Sequence, residues 1–526
     1  MTPVTLCALI GVSLAFVAAG MLFVPRLGIE ADEAIITNGI YEHGDPWYSW
    51  KFADAEVPIM LISYLGALKT WFYNGVFLFT PPRPMVLRLP MLLLAAGTLW
   101  LFFELLDRTL GRRTAWIGTL LLATDTSYLL LNTADYGPVT LQFVFKLAAL
   151  VLLVRFHENQ SRSELAYAFF FLGLGLWDKA VFAWVLFGLV IAAVAVFPRE
   201  VRRHLTRANI AVAGAALLAG ALPLVIYNIA RPLETLRGNA RLEQTEVLGK
   251  AELLRRTMDG SAMFGFLTAV EPGPQPGRPN HWYQSLSLAA GRWTGQPHHN
   301  AMLVVAVGSA LSLIFLWKSP VRPPILFALI ACAATWLPMV LTAGAGKAAQ
   351  HVILLWPFHL IPVAVILALI PAARAAIITT LLCLANLAVT NQYYADLIVN
   401  GPAIRWTDAM DQLQRYLTDL HAERIVATDW GFIETMSLLS EGELPIYYVS
   451  DPAGGTASEQ SLAALLRDPS NVFVAHTPGF AFHPQERAAL ESVARHEGYE
   501  EEPVTAIQDR NGRPTFDVFR FRKLHL

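Results

Sequence analysis

Residues 28–58 read GIEADEAIITNGIYEHGDPWYSWKFADAEVP, directly after an apolar run at residues 4–24. The stretch holds seven acids: Glu30, Asp32, Glu33, Glu42, Asp45, Asp54 and Glu56. In a solvated loop such acids cost nothing, and that is the plainest reading. The pattern is nevertheless more particular than a charge run. Asp32 and Glu33 are adjacent and stand about eight residues past the apolar run, which puts them at a membrane surface. Tyr41, Trp47, Tyr48, Trp50 and Phe52 interleave with the acids, as suits a headgroup-level belt or a platform for a sugar ring. A carboxylate held beside lipid can act as a base on a substrate that arrives through lipid.

The 526 residues are 55% hydrophobic and 15% charged, against about 25% charged for a soluble domain. Apolar runs long enough to cross a bilayer recur, so the fold class is mainly α, a polytopic membrane protein. After the acidic stretch, residues 58–77 read as an amphipathic helix lying in the interface, with Lys69 on its charged face. Spans follow at 86–106, 114–131 and 138–154. The run 165–197 is too long for one helix and carries Trp177-Asp178-Lys179 in its middle, which predicts two helices hinged there. Further spans at 209–229, 301–317, 325–342, 352–370 and 375–392 bring the total to about eleven. Residues 4–24 count as a retained first helix, since no positive segment precedes them. The transmembrane domain is expected over 1–395, with an interfacial first loop (28–80) and a long outer loop (230–300). From residue 400 to 526 the composition is that of a soluble domain. There 424–431, 444–450, 471–478 and 514–523 read as strands, with helical patterns between them, giving a small α/β domain.

Charge sets the orientation. Arg108, Arg112, Arg113, Arg155, Arg162, Arg199, Arg202, Arg203, Arg207, Lys318, Arg322 and Arg374 fall in alternate short loops, whereas the opposite turns hold only Lys179 and Lys347. The acidic first loop, Asp135, Asp178 and the C-terminal domain are therefore expected on the outer, periplasmic or extracytoplasmic side of a cell inner (plasma) membrane. A net charge of −2 without a basic block argues against a nucleic-acid partner. Cys7, Cys332 and Cys383 all lie inside apolar runs, so no disulfide or thiol–metal site is indicated, and no cofactor is expected.

Three more features bear on chemistry. Asp135 stands in LNTADYGPVT between two spans; it is either a solvated or capping acid, or a partner of Asp32 and Glu33 on the same face. Lys179 is either a snorkelling lysine beside Asp178 or a cation for a phosphate. Lys347, Gln350 and His351 form a polar cluster at a span entrance.

The Asp32-Glu33 pair, PIMLISYLGALKTWFY (58–73), NTADYGPVTLQF (132–143) and GLGLWDKAVFAWVL (173–186), in that order, resemble the GT-C glycosyltransferases. The nearest likeness is to glycosyltransferase family 39, which groups protein O-mannosyltransferases with bacterial lipid A aminoarabinose transferases. The resemblance implies an inverting transferase that moves a sugar from a polyprenyl-phosphate donor to a hydroxyl of a lipid, glycan or protein acceptor. It implies Asp32 as base, with Glu33 and Asp135 as further catalytic acids and Lys179 at the donor phosphate. Many relatives carry Lys-Pro where this chain has Val57-Pro58. Lys51 or Lys69 then substitutes, or the phosphate is gripped elsewhere, with His351 a further candidate. The competing reading is a lipid or sugar transporter or flippase with Asp135 and Lys179 on an ion path. Such proteins usually show two matching halves, which this chain lacks.

Overall fold

The computed structural model describes residues 2–39, 41, 48–52, 55–239, 241–243, 245–449 and 457–524. Glu42, Asp45, Trp47 and Asp54 of the acidic stretch lie outside them.

The chain begins with α1 (Pro3–Phe23), whose first turn is capped by the Thr2 hydroxyl. A short helix, α2 (Ala31–Ile35), carries the Asp32-Glu33 pair. Strands β1 (Tyr48–Phe52), β2 (Ala55–Ile62) and β3 (Leu65–Gly66) then form an antiparallel sheet in that order. This corrects the interfacial helix expected over 58–77: only α3 (Leu68–Phe77) is helical. Its charged face is also reversed. Lys69 and Tyr73 are buried against the protein, whereas Trp71 and Phe72 are exposed, the arrangement suited to a helix whose outer side meets lipid.

The bundle continues with α4 (Pro84–Leu110), α5 (Arg112–Thr124), α6 (Thr126–Ala134), α7 (Val139–Asn159), α8 (Arg162–Asp178), α9 (Phe182–Val196), α10 (Pro198–His204) and α11 (Arg207–Ala230). Three shorter helices cross the outer loop: α12 (Glu234–Asn239), α13 (Val247–Met258) and α14 (Trp282–Thr294). Then come α15 (Met302–Leu311), α16 (Arg322–Leu341), α17 (Ala349–Val352), α18 (Leu360–Leu369) and α19 (Ala372–Val399). Each expected apolar run is helical, but about eleven full-length spans is not what forms. Among the described residues seven helices are long and apolar enough to cross a membrane, or eight if α9 and α10, bent by 106°, count as one. The run 114–131 divides into α5 and α6 because Asp125, Thr126 and Ser127 interrupt it. Asp125 caps α6 by accepting Tyr128 N–H at 2.8 Å, and Thr126 and Ser127 donate to the Asn386 and Thr257 carbonyls. The α8 and α15 segments stay short.

The predicted hinge at Trp177-Asp178-Lys179 is present, and β2 and β3 hold it. Lys179 is extended and bridges Leu65, Ala180 N–H donates to the Tyr64 carbonyl at 2.9 Å, and the Trp177 indole donates to the Ile59 carbonyl at 3.0 Å. Gly66 has no room for a side chain, since a Cβ there would lie 2.1 Å from the Trp177 carbonyl oxygen.

After α19 the chain forms α20 (Ala409–Asp419), β4 (Arg424–Ala427), α21 (Ile433–Leu439), β5 (Ile446–Tyr448), α22 (Glu459–Arg467), β6 (Asn471–His476), α23 (Pro484–Glu497), β7 (Tyr499–Gln508) and β8 (Pro514–Lys523). The sheet order is β5-β4-β6-β8-β7, with β4 parallel to β5 and β6, and β8 antiparallel to β6 and β7. Alternation along the strands fills two layers. Ile425, Ala427, Val472 and Val474 pack with α20 and α21, and Val426, Phe473 and Ala475 with α22 and α23. Apolar alternation does not mark β7, because YEEEPVTAIQ is an acidic edge strand.

This C-terminal layer is docked onto the first loop. Gly28 N–H donates to the Trp406 carbonyl at 2.8 Å, Asn38 donates to the Glu434 carbonyl at 3.1 Å, and Leu438 joins Ile29, Ala34, Tyr73 and Phe77 in one apolar cluster. Gly28 is required by this approach, since a Cβ would sit 2.0 Å from the Thr407 carbonyl oxygen.

Candidate active site

Three acids cluster at α2, and the structure treats each differently. Glu30 caps the helix: its carboxylate accepts Asp32 N–H at 2.6 Å and Glu33 N–H at 3.3 Å, and Arg405 donates to its other oxygen at 2.9 Å. Glu33 is buried in a forked pair with Arg88 of α4, at 2.9 and 2.7 Å. The remaining Arg88 nitrogen binds the Val24 and Leu27 carbonyls, fixing where α1 ends. Asp32 alone is left open. Its side chain is half-buried, and among the described residues no hydrogen bond or ion pair engages its carboxylate. Burial raises its pKa from the ordinary value, opposed by the Arg405 guanidinium and the Lys179 ammonium, both within electrostatic reach.

Asp135 ends α6 in the left-handed conformation, at φ 43° and ψ 40°, which a short polar side chain tolerates. Lys69 donates to its carboxylate at 2.8 Å and to its carbonyl at 2.9 Å, while its other oxygen accepts Thr140 N–H at 2.9 Å. Both members of this pair are buried. Lys69 and Asp135 thus satisfy each other, and Asp135 also caps the start of α7. Lys179 is less committed: its closest contact is the Gly137 carbonyl at 3.4 Å, while Asp178 is held by Gln142 at 2.6 Å instead. Burial lowers the Lys179 pKa to about 8, with Asp32, Asp178 and Asp135 opposing. His351 is close enough to feel the Lys179 charge, and its Nδ1 and the Gln350 Oε1 are buried without a hydrogen-bond partner. Orphaned polar atoms beside a cation mark the place where a polar ligand would be satisfied.

The other candidate cations stand apart. Lys51 is exposed on β1 opposite Glu56, and Lys347 pairs with Glu243 and Glu246 at 3.0 and 2.8 Å. Among the described residues no three His, Cys, Asp or Glu side chains gather as metal ligands. Two contributors escaped sequence reading. Arg88 is the only cation within the apolar run 86–106, a signal that it has a buried partner. Arg405 adjoins Trp406 where the bundle gives way to the C-terminal domain, and nothing local marks its role.

Residues 67–227 match the family described as dolichyl-phosphate-mannose-protein mannosyltransferase. No curated protein matches the chain. Among solved structures, ArnT from Cupriavidus metallidurans bound to undecaprenyl phosphate is similar over 98% of this chain and 98% of that one, at 12% identity and a TM-score of 0.60. The same protein in the apo state aligns over 97% and 98%, at 14% identity and a TM-score of 0.55. The oligosaccharyltransferase AglB from Archaeoglobus fulgidus, in complex with an inhibitory peptide and a dolichol-phosphate, aligns over 100% of this chain and 75% of that one, at 11% identity and a TM-score of 0.50. At such identities these likenesses establish the fold. The likeness to the mannosyltransferase family is thus carried by residues 67–227, and over its whole length the chain has the ArnT-like fold, a mainly helical multi-pass membrane bundle with a C-terminal mixed-sheet domain.

Proposed function

We propose that this enzyme transfers a sugar from a polyprenyl-phosphate donor to an acceptor hydroxyl at the outer membrane face, with inversion at the anomeric carbon. The observation that carries the reading is the open carboxylate of Asp32, set between the Arg405 and Lys179 charges while its neighbours Glu30 and Glu33 are paired. Asp32 takes the proton of the acceptor hydroxyl as that oxygen attacks the anomeric carbon. The bond from that carbon to the phosphate oxygen breaks, and the lipid phosphate leaves with the electron pair. Lys179 stabilises the charge gathering on the phosphate, the unpaired His351 Nδ1 can donate to it in the tautomer that carries the proton there, and the unpaired Gln350 Oε1 can accept from a sugar hydroxyl. Glu33 and Asp135 act as positioning acids, through Arg88 and Lys69.

The test is release of free polyprenyl phosphate from a panel of polyprenyl-phosphate sugars by the purified full-length protein. Asp32→Asn is expected to reduce turnover by about 10²–10⁴-fold while donor binding persists. Wild-type turnover in that variant would exclude Asp32 as the base.

A further inference from the structure

Arg405 touches two parts of the molecule that are remote in sequence. On one side its Nη1 binds Glu30 Oε1 at 2.9 Å, and the other Glu30 oxygen accepts the Asp32 and Glu33 amides. On the other side the guanidinium lies over three aromatic rings, with centroids at 4.7 Å for Trp430, 5.2 Å for Phe482 and 5.7 Å for Phe266. Trp430 and Phe482 are themselves edge to face at 5.4 Å. One buried acid fixes both: Asp429 accepts the amides of Trp430 at 2.8 Å, Phe482 at 2.9 Å and His483 at 2.8 Å, and binds His476 Nδ1 at 2.8 Å. A cation over aromatic faces is attracted to their electron-rich centres, and three faces restrict where the guanidinium can go.

We propose that Arg405 is a positioning residue through which the C-terminal domain, by its Trp430–Phe482 cage, holds Glu30 and the backbone of Asp32 in place for transfer. The path runs from Asp429 to the rings, to Arg405, to the capping carboxylate and on to the α2 amides. Every link is a direct contact. An arginine suits the task because its flat fork stacks on rings while its edge binds a carboxylate, and a lysine can do only one of these well. The charged and titratable groups around Asp32 come from six segments: Glu30 at the α2 cap, Lys179 at the α8–α9 hinge, Arg405, Glu434 of α21, Tyr64 in the β2–β3 turn and Tyr136 in the α6–α7 turn. The Asp32 charge raises the affinity of Glu30 for a proton, and Arg405 opposes proton binding at both acids. Removing its charge strengthens proton binding at each step of that coupled pair.

The inference rests on the transferase reading, and the experiment separates the two. Release of polyprenyl phosphate is measured across pH for full-length wild type, Arg405→Gln, Arg405→Lys and Phe482→Leu in lipid nanodiscs. Arg405→Gln is expected to lower kcat by about 10²-fold with little change in donor KM, and to move the acid limb upward by about 1 pH unit. Arg405→Lys should keep the limb near wild type but recover only part of kcat. Phe482→Leu, which leaves the ion pair intact, should lower kcat without altering KM. No release by wild type would sink the transferase reading itself. Wild-type release with an unmoved acid limb in folded Arg405→Gln would overturn the positioning role alone. If Arg405→Gln does not fold, wild-type kcat in both Arg405→Lys and Phe482→Leu overturns it, and a lowered kcat at constant KM in both supports it.

Discussion

Asp32 is distinguished by what its neighbours lack: Glu30 and Glu33 each spend a carboxylate on an arginine, and Asp135 spends its own on Lys69. A base must have an unoccupied oxygen, and a leaving phosphate needs a cation that is not neutralised. Lys179 meets the second condition better than Lys69 or Lys347, which are ion-paired, and unlike Lys51 it is buried rather than exposed. Lys179→Ala is therefore expected to lower turnover by about 10²–10³-fold and to weaken binding of free polyprenyl phosphate, with Lys179→Arg recovering part of both. The ammonium must be protonated to act, and its pKa is lowered to about 8. Wild-type kcat/KM should accordingly fall as pH rises through about 8, and Lys179→Arg should extend the plateau upward, because an arginine stays charged. On the acid side, the raised Asp32 pKa puts the limb above the ordinary aspartate value of about 3.9. Asp32 and Lys179 could both be picked out as candidates in the sequence, since each is a charge at a span boundary within a recognisable motif. The partners that make Glu33 and Glu30 unavailable were not, because Arg88 and Arg405 lie 55 and 375 residues away and only the fold brings them near.

Elements explain why Lys179 stays put. A lysine between two apolar helices would ordinarily swing to water, but here the extended residue bridges Leu65 of β3, and the next residue, Ala180, donates its N–H to the Tyr64 carbonyl. Gly66 permits that close approach. Gly66→Ala is expected to push β3 from the hinge and cost about 10²-fold in turnover with expression and helix content unchanged, checked by circular dichroism beside the release assay. Apolar periodicity located the long bundle helices, though not the short α10, whose sequence PREVRRH is polar. It missed the strands inside 58–66, since short apolar runs fit strand and helix equally well, and Ile59, Met60 and Leu61 are buried in succession rather than alternating against water. The split of 114–131 was legible in principle: Asp125-Thr126-Ser127 is a capping signal set within an apolar run.

At the scale of the whole molecule, arginines gather at the bundle end opposite the site, where Arg108 and Arg155 bind Glu104, and Arg112 binds Asp107. By the positive-inside rule that end is expected to face the cytoplasm. Reporter fusions after Arg113 and Arg203 are expected to read cytoplasmic, and those after Gly238 and Asp468 external; an internal signal at Asp468 would reverse the orientation. The composition change near residue 400 was visible in the sequence. The docking of the C-terminal domain onto the first loop was not, because it depends on backbone contacts such as Gly28 to Trp406 that carry no side-chain signature. That contact also has a consequence in time. Chains grow at about 5–20 residues per second, so the segment that closes over Gly28 and Glu30 emerges some tens of seconds after α2 has reached the membrane surface. Throughout that interval the acids stand without the Trp406 carbonyl or the Arg405 fork, and a ribosome-bound chain is a bundle with an unfinished centre. A chain truncated before residue 405 is therefore expected to release no polyprenyl phosphate, since the contacts that hold α2 come only with the last quarter of the protein.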